Sequence, residues 1–123
     1  MARATDLDSE AFLSIRAARR LPKASADDQT HRQRAIEAAT IVAAEVPLGV
    51  AARCREIAHR LRQLQPEIPA AITSDLTTAL ALAEAGFSGA RDNVLINLDG
   101  LEPNSPQRRR IAGELGRLER APL

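Results

Sequence analysis

Residues 35–64 read AIEAATIVAAEVPLGVAARCREIAHRLRQL, and their periodicity decides the fold. Apolar side chains return every three or four positions. Ile36, Ala39, Ala43, Val46 and Val50 make one face, which Ile57, Leu61 and Leu64 continue. That is the repeat of an α-helix, with no period-two alternation against it. The pattern begins at Gln29, so a single long helix is expected from there to about Leu64. Pro47 interrupts it. Its ring crowds the carbonyl one turn back, at Ala43, and it has no N–H to donate, so a kink or a break is expected; Gly49 loosens the same point. Such a bend either wraps the helix around a core or turns freed carbonyls toward a ligand.

On the N-terminal side, a first helix opens at Asp8 or Ser9 and carries Phe12, Ile15 and Leu21, with Ala11 and Ala18 filling in. Pro22 ends it, and the polar stretch 23–28 supplies a connector and an N-cap. On the C-terminal side, Pro66 and Pro69 mark a turn. Thr73 and Ser74 offer caps for a third helix reaching Leu98, with Asp75 well placed against its positive end. Gly86, Ser88, Gly89 and Ala90 form a small-residue patch that lets a neighbour approach. Gly100, Pro103 and Pro106 make the last connector. Ser105 caps a final helix bearing Ile111, Leu115 and Leu118, which Gly113 and Gly116 weaken, so fraying is expected near Pro122. Helical segments joined by short loops predict an all-α fold, an antiparallel bundle with a long Pro-kinked helix.

Composition agrees. Of 123 residues, 24 are alanine and only two, Phe12 and Phe87, are aromatic, which suits close-packed helices and not strands. A net charge of +1 argues against a nucleic-acid binder, which needs a basic face. The cluster Arg108-Arg109-Arg110 reads as the solvated first turn of a helix, with nucleic-acid contact as the alternative. Cys54, the single cysteine, permits no intrachain disulfide and sits among apolar neighbours as a buried thiol. His31 and His59 lack metal-pair spacing, so no metal is expected. With no signal-peptide pattern and no run of about 18 apolar residues, the expectation is a cytoplasmic protein that does not enter membranes.

Few residues stand out chemically. Asn93 and Asn97, four apart and therefore on one helix face, flank the apolar run Val94-Leu95-Ile96. They are either buried amides that satisfy each other or part of a polar ligand site. Lys23 is the only lysine among seventeen basic residues, a surface residue or a place where a compact ammonium is wanted. Ser74 and Asp75 open a helix, where a cap is the ordinary role; Asp75 also qualifies as a proton acceptor. No Ser-His-Asp order, phosphate loop or Gly-rich nucleotide turn is present.

Together these segments resemble the formiminotetrahydrofolate cyclodeaminase/methenyltetrahydrofolate cyclohydrolase family. The matching pieces occur in family order: Asp8-Ser9-Glu10-Ala11-Phe12, closed by Arg20-Leu21-Pro22-Lys23; Ala39 to Leu48, with Glu45-Val46-Pro47-Leu48; Ser74-Asp75; and Gly89-Ala90-Arg91-Asp92-Asn93-Val94-Leu95-Ile96-Asn97-Leu98. The resemblance implies a helical domain that forms a homodimer and acts on a tetrahydrofolate derivative carrying a one-carbon unit. It further implies Asp75 as the catalytic acid/base group, with Lys23, Ser74, Asn93 and Asn97 binding the substrate. Members of the family normally begin with a further helical region holding a Gly-rich turn, and here Met1 falls directly before the segment that follows it. The expectation is therefore a single cyclodeaminase-like domain over residues 1–123 that lacks that region. Such an enzyme is either short or completed by a partner, a second copy or a chain that supplies the missing helices. The alternative is a non-catalytic interaction or assembly module that has kept the fold.

Overall fold

Every regular element of the computed structural model, which describes residues 2–121 with side chains from Arg3 onward, is helical. Helix α1 spans Ala2–Arg19, α2 Ala26–Leu64, α3 Thr73–Leu98 and α4 Pro106–Arg120; two 3₁₀ turns, Gln65–Glu67 and Ala70–Ile72, join α2 to α3. The all-α bundle is as expected, and the residue at each boundary shows why it stops there. Arg19 ends α1 three residues before Pro22. Ser25 caps α2 in a capping box, its hydroxyl accepting from the Asp28 N–H at 3.0 Å while the Asp28 carboxylate accepts from the Ser25 N–H. Ser105 caps α4 as expected, accepting from the Arg108 N–H, with Pro106 at the first helical position.

Ser74 is not a cap. The 3₁₀ turn at Ala70–Ile72 runs straight into α3 and the Thr73 N–H bonds back to Ala70, so Ile72 holds the cap position and no side chain caps the helix. Nor does Pro47 break α2. The helix continues through it for 39 residues, about 58 Å, and the Pro47 ring is buried. Lodging the ring in the core offsets the hydrogen bond it forgoes. Fraying at Pro122 lies outside the described residues.

Successive helices run antiparallel. Arg32 Nε donates to the Arg19 carbonyl at 3.2 Å across α1 and α2. Cys54 faces Gly86, and Thr40 faces Gly100, across α2 and α3. Helix α2 is the common wall, packing against each of the others. Its buried stripe is Thr40, Ala44, Pro47, Ala51, Cys54 and Ala58, with Ala43 and Leu48 beside it. These are mostly small side chains, and the close approach they permit is what a Cβ on Gly86 would obstruct, 2.9 Å from the Cys54 Sγ. The larger core residues come from the facing helices: Val94 and Leu98 of α3, Leu101 of the connector, and Ile111 and Leu115 of α4. A second cluster joins Ala51 and Cys54 to Phe87 and Ala90, and the Arg55 guanidinium stacks on the Phe87 ring at 3.9 Å.

The face read from the sequence of α2 is its other apolar stripe. Ile36, Ala39, Ala43, Val46 and Val50 are buried or half-buried, whereas Ile57 and Leu64 are exposed and Leu61 is half-buried. The described residues at the start of α1 border α2 along Val42 to Arg53, and Ile57 and Leu64 lie further along α2. Phe12 is likewise outside, 61% exposed, because the inward stripe of α1 is Ala4, Ala11, Ile15 and Ala18, with the exposed Asp8 in the same register. Phe12 sits one position, about 100° of helix, off that stripe.

Helix α2 is also, by length and composition, apolar enough to cross a membrane, which corrects the expectation that no such stretch exists. Alanine raises its hydropathy. Three other helices pack on it, as around the core helix of a bundle. The arginine cluster opening α4 is engaged within the fold. Arg108 donates to the Leu101 carbonyl, Arg109 to the Asn104 carbonyl, and Arg110 binds Glu45 of α2. Arg91 binds Glu119, tying α3 to α4.

Candidate functional site

The asparagine pair satisfies itself in part. Asn97 Nδ2 donates to the Asn93 carbonyl at 2.9 Å and to the Asn93 Oδ1 at 3.2 Å, within the half-buried flank of α3. That second bond occupies the Asn93 oxygen and leaves its Nδ2, with two N–H donors, as the group free to meet something else.

Asn93 looks into a groove of about 480 Å³ between α1 and α3, floored by Val46, Pro47 and Val50 of α2. One wall is Gly86, Gly89 and Ala90 of α3; the other is Ala4, Thr5 and Asp8 of α1. The size lies in the range of small-molecule sites, and the lining is apolar apart from three polar side chains. Where a Cβ on Gly89 would project there is no atom within 4 Å, so a flat ring has room to lie against the helix backbone. The small-residue patch thus serves two purposes. Gly86 admits Cys54 of α2, and Gly89 opens the groove.

The other candidates lie elsewhere. Ser74 and Asp75 are exposed at the start of α3; the Ser74 carbonyl accepts from the Thr78 hydroxyl. Eighteen positions separate Asp75 from Asn93, five helical turns, which puts them on one face of α3 but about 27 Å apart. Lys23 is exposed at the opposite end of the bundle, bordering a separate basin with Gln29, Thr30, Arg32 and Arg34. A single chain therefore brings Asn93 and Asn97 together and leaves Lys23 and the Ser74-Asp75 pair apart from them and from each other. Among the described residues no three His, Cys, Asp or Glu side chains converge as a metal site. Burial pushes the Cys54 thiol above its ordinary value near 9.0, keeping it protonated and unreactive.

Sequence reasoning missed Asp8 as a site residue. Read as the point where a helix opens, it is in fact within α1, exposed but bordering the groove. The signal was there: Ala4, Asp8, Ala11, Ile15 and Ala18 recur at steps of four and three, and Asp8 is the one charged member.

The described residues form a bundle of four helices with an apolar groove edged by one of a pair of amides on α3. Comparison with known proteins gives it a family. The formiminotransferase-cyclodeaminase family matches residues 1–114, and the chain belongs to it. Formimidoyltransferase-cyclodeaminase of Gallus gallus is 34% identical over 93 residues, 76% of this chain and 17% of the relative. The Sus scrofa protein of the same name is 36% identical over the same shares. The methenyltetrahydrofolate cyclohydrolase of Methylorubrum extorquens is 32% identical over 95 residues, 77% of this chain and 46% of the relative. The chain thus aligns with less than half the length of each of these relatives.

Proposed function

We propose that this chain binds a tetrahydrofolate bearing a one-carbon unit and processes it as a cyclodeaminase or a cyclohydrolase. The observation that carries the reading is the α1–α3 groove, open over Gly89 and edged by Asn93, in a chain whose residues 1–114 match the family. In the first reaction, N10 of a 5-formimino derivative attacks the formimino carbon and the bond to the terminal nitrogen breaks. That nitrogen takes the N10 proton and one from solvent and leaves as ammonia, giving the methenyl cation. In the second, water adds to the methenyl carbon, the bond to N5 breaks, a formyl group stays on N10 and a proton is released. Both need a proton shuttle beside the bridging carbon and amide donors to hold the ring.

Asp75 and Asn93 share a face of α3 but lie too far apart to act on one carbon atom. A second copy laid antiparallel along that face brings Asp75 of one chain toward Asn93 of the other. The exposed apolar residues support this arrangement: Leu82, 69% exposed, lies between the two polar groups on α3, and Ile57, Ile72 and Ile96 are exposed as well. The non-catalytic assembly module is the second reading, and the separation of Lys23, Asp75 and Asn93 within one chain favours it.

Turnover decides between them. The purified chain is mixed with 5,10-methenyltetrahydrofolate, and separately with the 5-formimino derivative, while the methenyl chromophore is followed. Loss of the chromophore faster than the uncatalysed rate, or its appearance with ammonia release, supports the enzyme. Reduced-folate binding without turnover leaves the module, and absence of binding removes the folate reading.

A further inference from the structure

We infer that Asp8 and Asn93 together read the pyrimidine edge of a pterin, so that the α1–α3 groove seats the ring end of the folate and not its glutamate tail. This rests on the folate reading and adds orientation and specificity to it. Among the described residues Asp8 is the only charged one lining the groove, where it stands at the solvent-exposed rim, in helical register with Ala4, Ala11, Ile15 and Ala18. No ion pair or hydrogen bond to its carboxylate is found among the described residues, although α1 carries arginines at Arg3, Arg16 and Arg19. Exposed at the groove's rim and engaged by no group among the described residues, the two Asp8 oxygens are free to accept hydrogen bonds from a ligand that enters.

The chemistry of the ring supplies the match. The pyrimidine edge of a pterin presents a carbonyl oxygen at position 4, an N–H at position 3 and an amino group at position 2, in the order acceptor, donor, donor. The complement is donor, acceptor, acceptor. Asn93 Nδ2 is the donor, held in that orientation because Asn97 Nδ2 occupies the Asn93 Oδ1 at 3.2 Å. The two Asp8 oxygens are the acceptors, and a carboxylate takes two parallel N–H bonds as it does from a guanidinium. The ring then lies between the two residues over Gly89, where no atom stands within 4 Å of a would-be Cβ. Asn97 acts through Asn93 and is a positioning residue.

The experiment is calorimetric titration of the full chain with three probes: 5-formyltetrahydrofolate, tetrahydrobiopterin, which has the ring without the aminobenzoyl-glutamate, and a matched pair of 5,8-dideazafolates bearing 2-amino or 2-methyl. Wild type is expected to bind the first two and to prefer the 2-amino analogue to its 2-methyl partner by tenfold or more. Asp8→Asn is expected to weaken both reduced pterins at least tenfold and to abolish the 2-amino preference. Asp6→Asn, also on α1 but off the inner stripe, is expected to leave all affinities unchanged. Asn97→Ala should weaken binding less than Asp8→Asn. The 2-amino/2-methyl comparison on wild type needs no substitution, so it tests the assignment even if a variant misfolds. If wild type binds 5-formyltetrahydrofolate but shows no 2-amino preference, or if Asp8→Asn keeps it, the assignment is overturned while the folate reading stands. If wild type binds no reduced folate, both fall.

Discussion

Replacing Gly86 by alanine tests the closeness of α2 and α3 directly. In an unobstructed helix interior this exchange stabilises by about 1 kcal/mol, because glycine loses more backbone freedom on folding. Here the added Cβ stands 2.9 Å from the Cys54 Sγ. Cys54 is itself buried against Ala51, Phe87 and Ala90, so the sulfur has no free space to retreat into. Overpacking of this kind costs about 1–3 kcal/mol. The net effect of Gly86→Ala is therefore between neutral and about 2 kcal/mol destabilising, which at this chain length is a fall in Tm of up to about 8 °C. Removing the sulfur reverses the sign: in a Cys54→Ala background, Gly86→Ala should stabilise by about 1 kcal/mol. The coupling between the two sites is then about 1–3 kcal/mol, read from urea unfolding followed by far-ultraviolet circular dichroism across the four proteins of the cycle. Gly113→Ala, with nothing within 4 Å, is the control and should stabilise in either background. If Gly86→Ala stabilises as much as Gly113→Ala with Cys54 intact, the seam is looser than described and the reasoning fails.

Further expectations follow from the same geometry. Ile111→Ala, at a fully buried site facing Val94 and Leu98, should lower the unfolding free energy by about 2–5 kcal/mol in urea titrations. Gly89→Ala should raise Tm slightly yet weaken 5-formyltetrahydrofolate binding tenfold or more, since the methyl group enters the open face of the groove; equal affinity would remove the ring from that position. Asp75→Asn and Asn93→Ala, each inactive alone, should regain turnover when mixed if two chains complete one site; no recovery counts against the antiparallel pairing. Because burial raises the Cys54 thiol above its ordinary value, the unfolded chain loses that proton first. Its contribution to stability is full below about pH 9 and declines as pH climbs toward the folded-state value, so Cys54→Ala should flatten the alkaline limb of a Tm–pH curve.

Much of the scaffold was readable from local rules. Pro22, the Ser105 cap and the stripe Ile111-Leu115-Leu118 behave as their chemistry requires, each acting within one turn of helix. The sequence misleads where neighbours decide. The larger side chains of α2, Ile57 and Leu64 among them, look like the core face, yet the buried face is the alanine stripe, because what α2 meets is the bulk of α3 and α4. Phe12 is outside for a similar reason: the stripe of α1 that packs inward runs through Ala11, Ile15 and Ala18, and Phe12 stands one position off it. Reading the helix as opening at Asp8 hid that residue's place beside the groove. The proximity of Asn93 and Asn97 needed only helical spacing, whereas the separation of Lys23 and Asp75 follows from the 39-residue length of α2, a property no pairwise motif records.

Helix α1 touches the rest of the bundle mainly through α2, and among its described side chains only Ala11 and Ala18 are buried. So little apolar area holds it that it should peel away as a unit, exchanging its amide hydrogens well before those of α3 and α4. Yet one wall of the groove, with Ala4, Thr5 and Asp8, is built from this helix. Whatever fills the groove must therefore clamp α1 down, and occupancy becomes a latch that a deuterium-exchange experiment can read helix by helix.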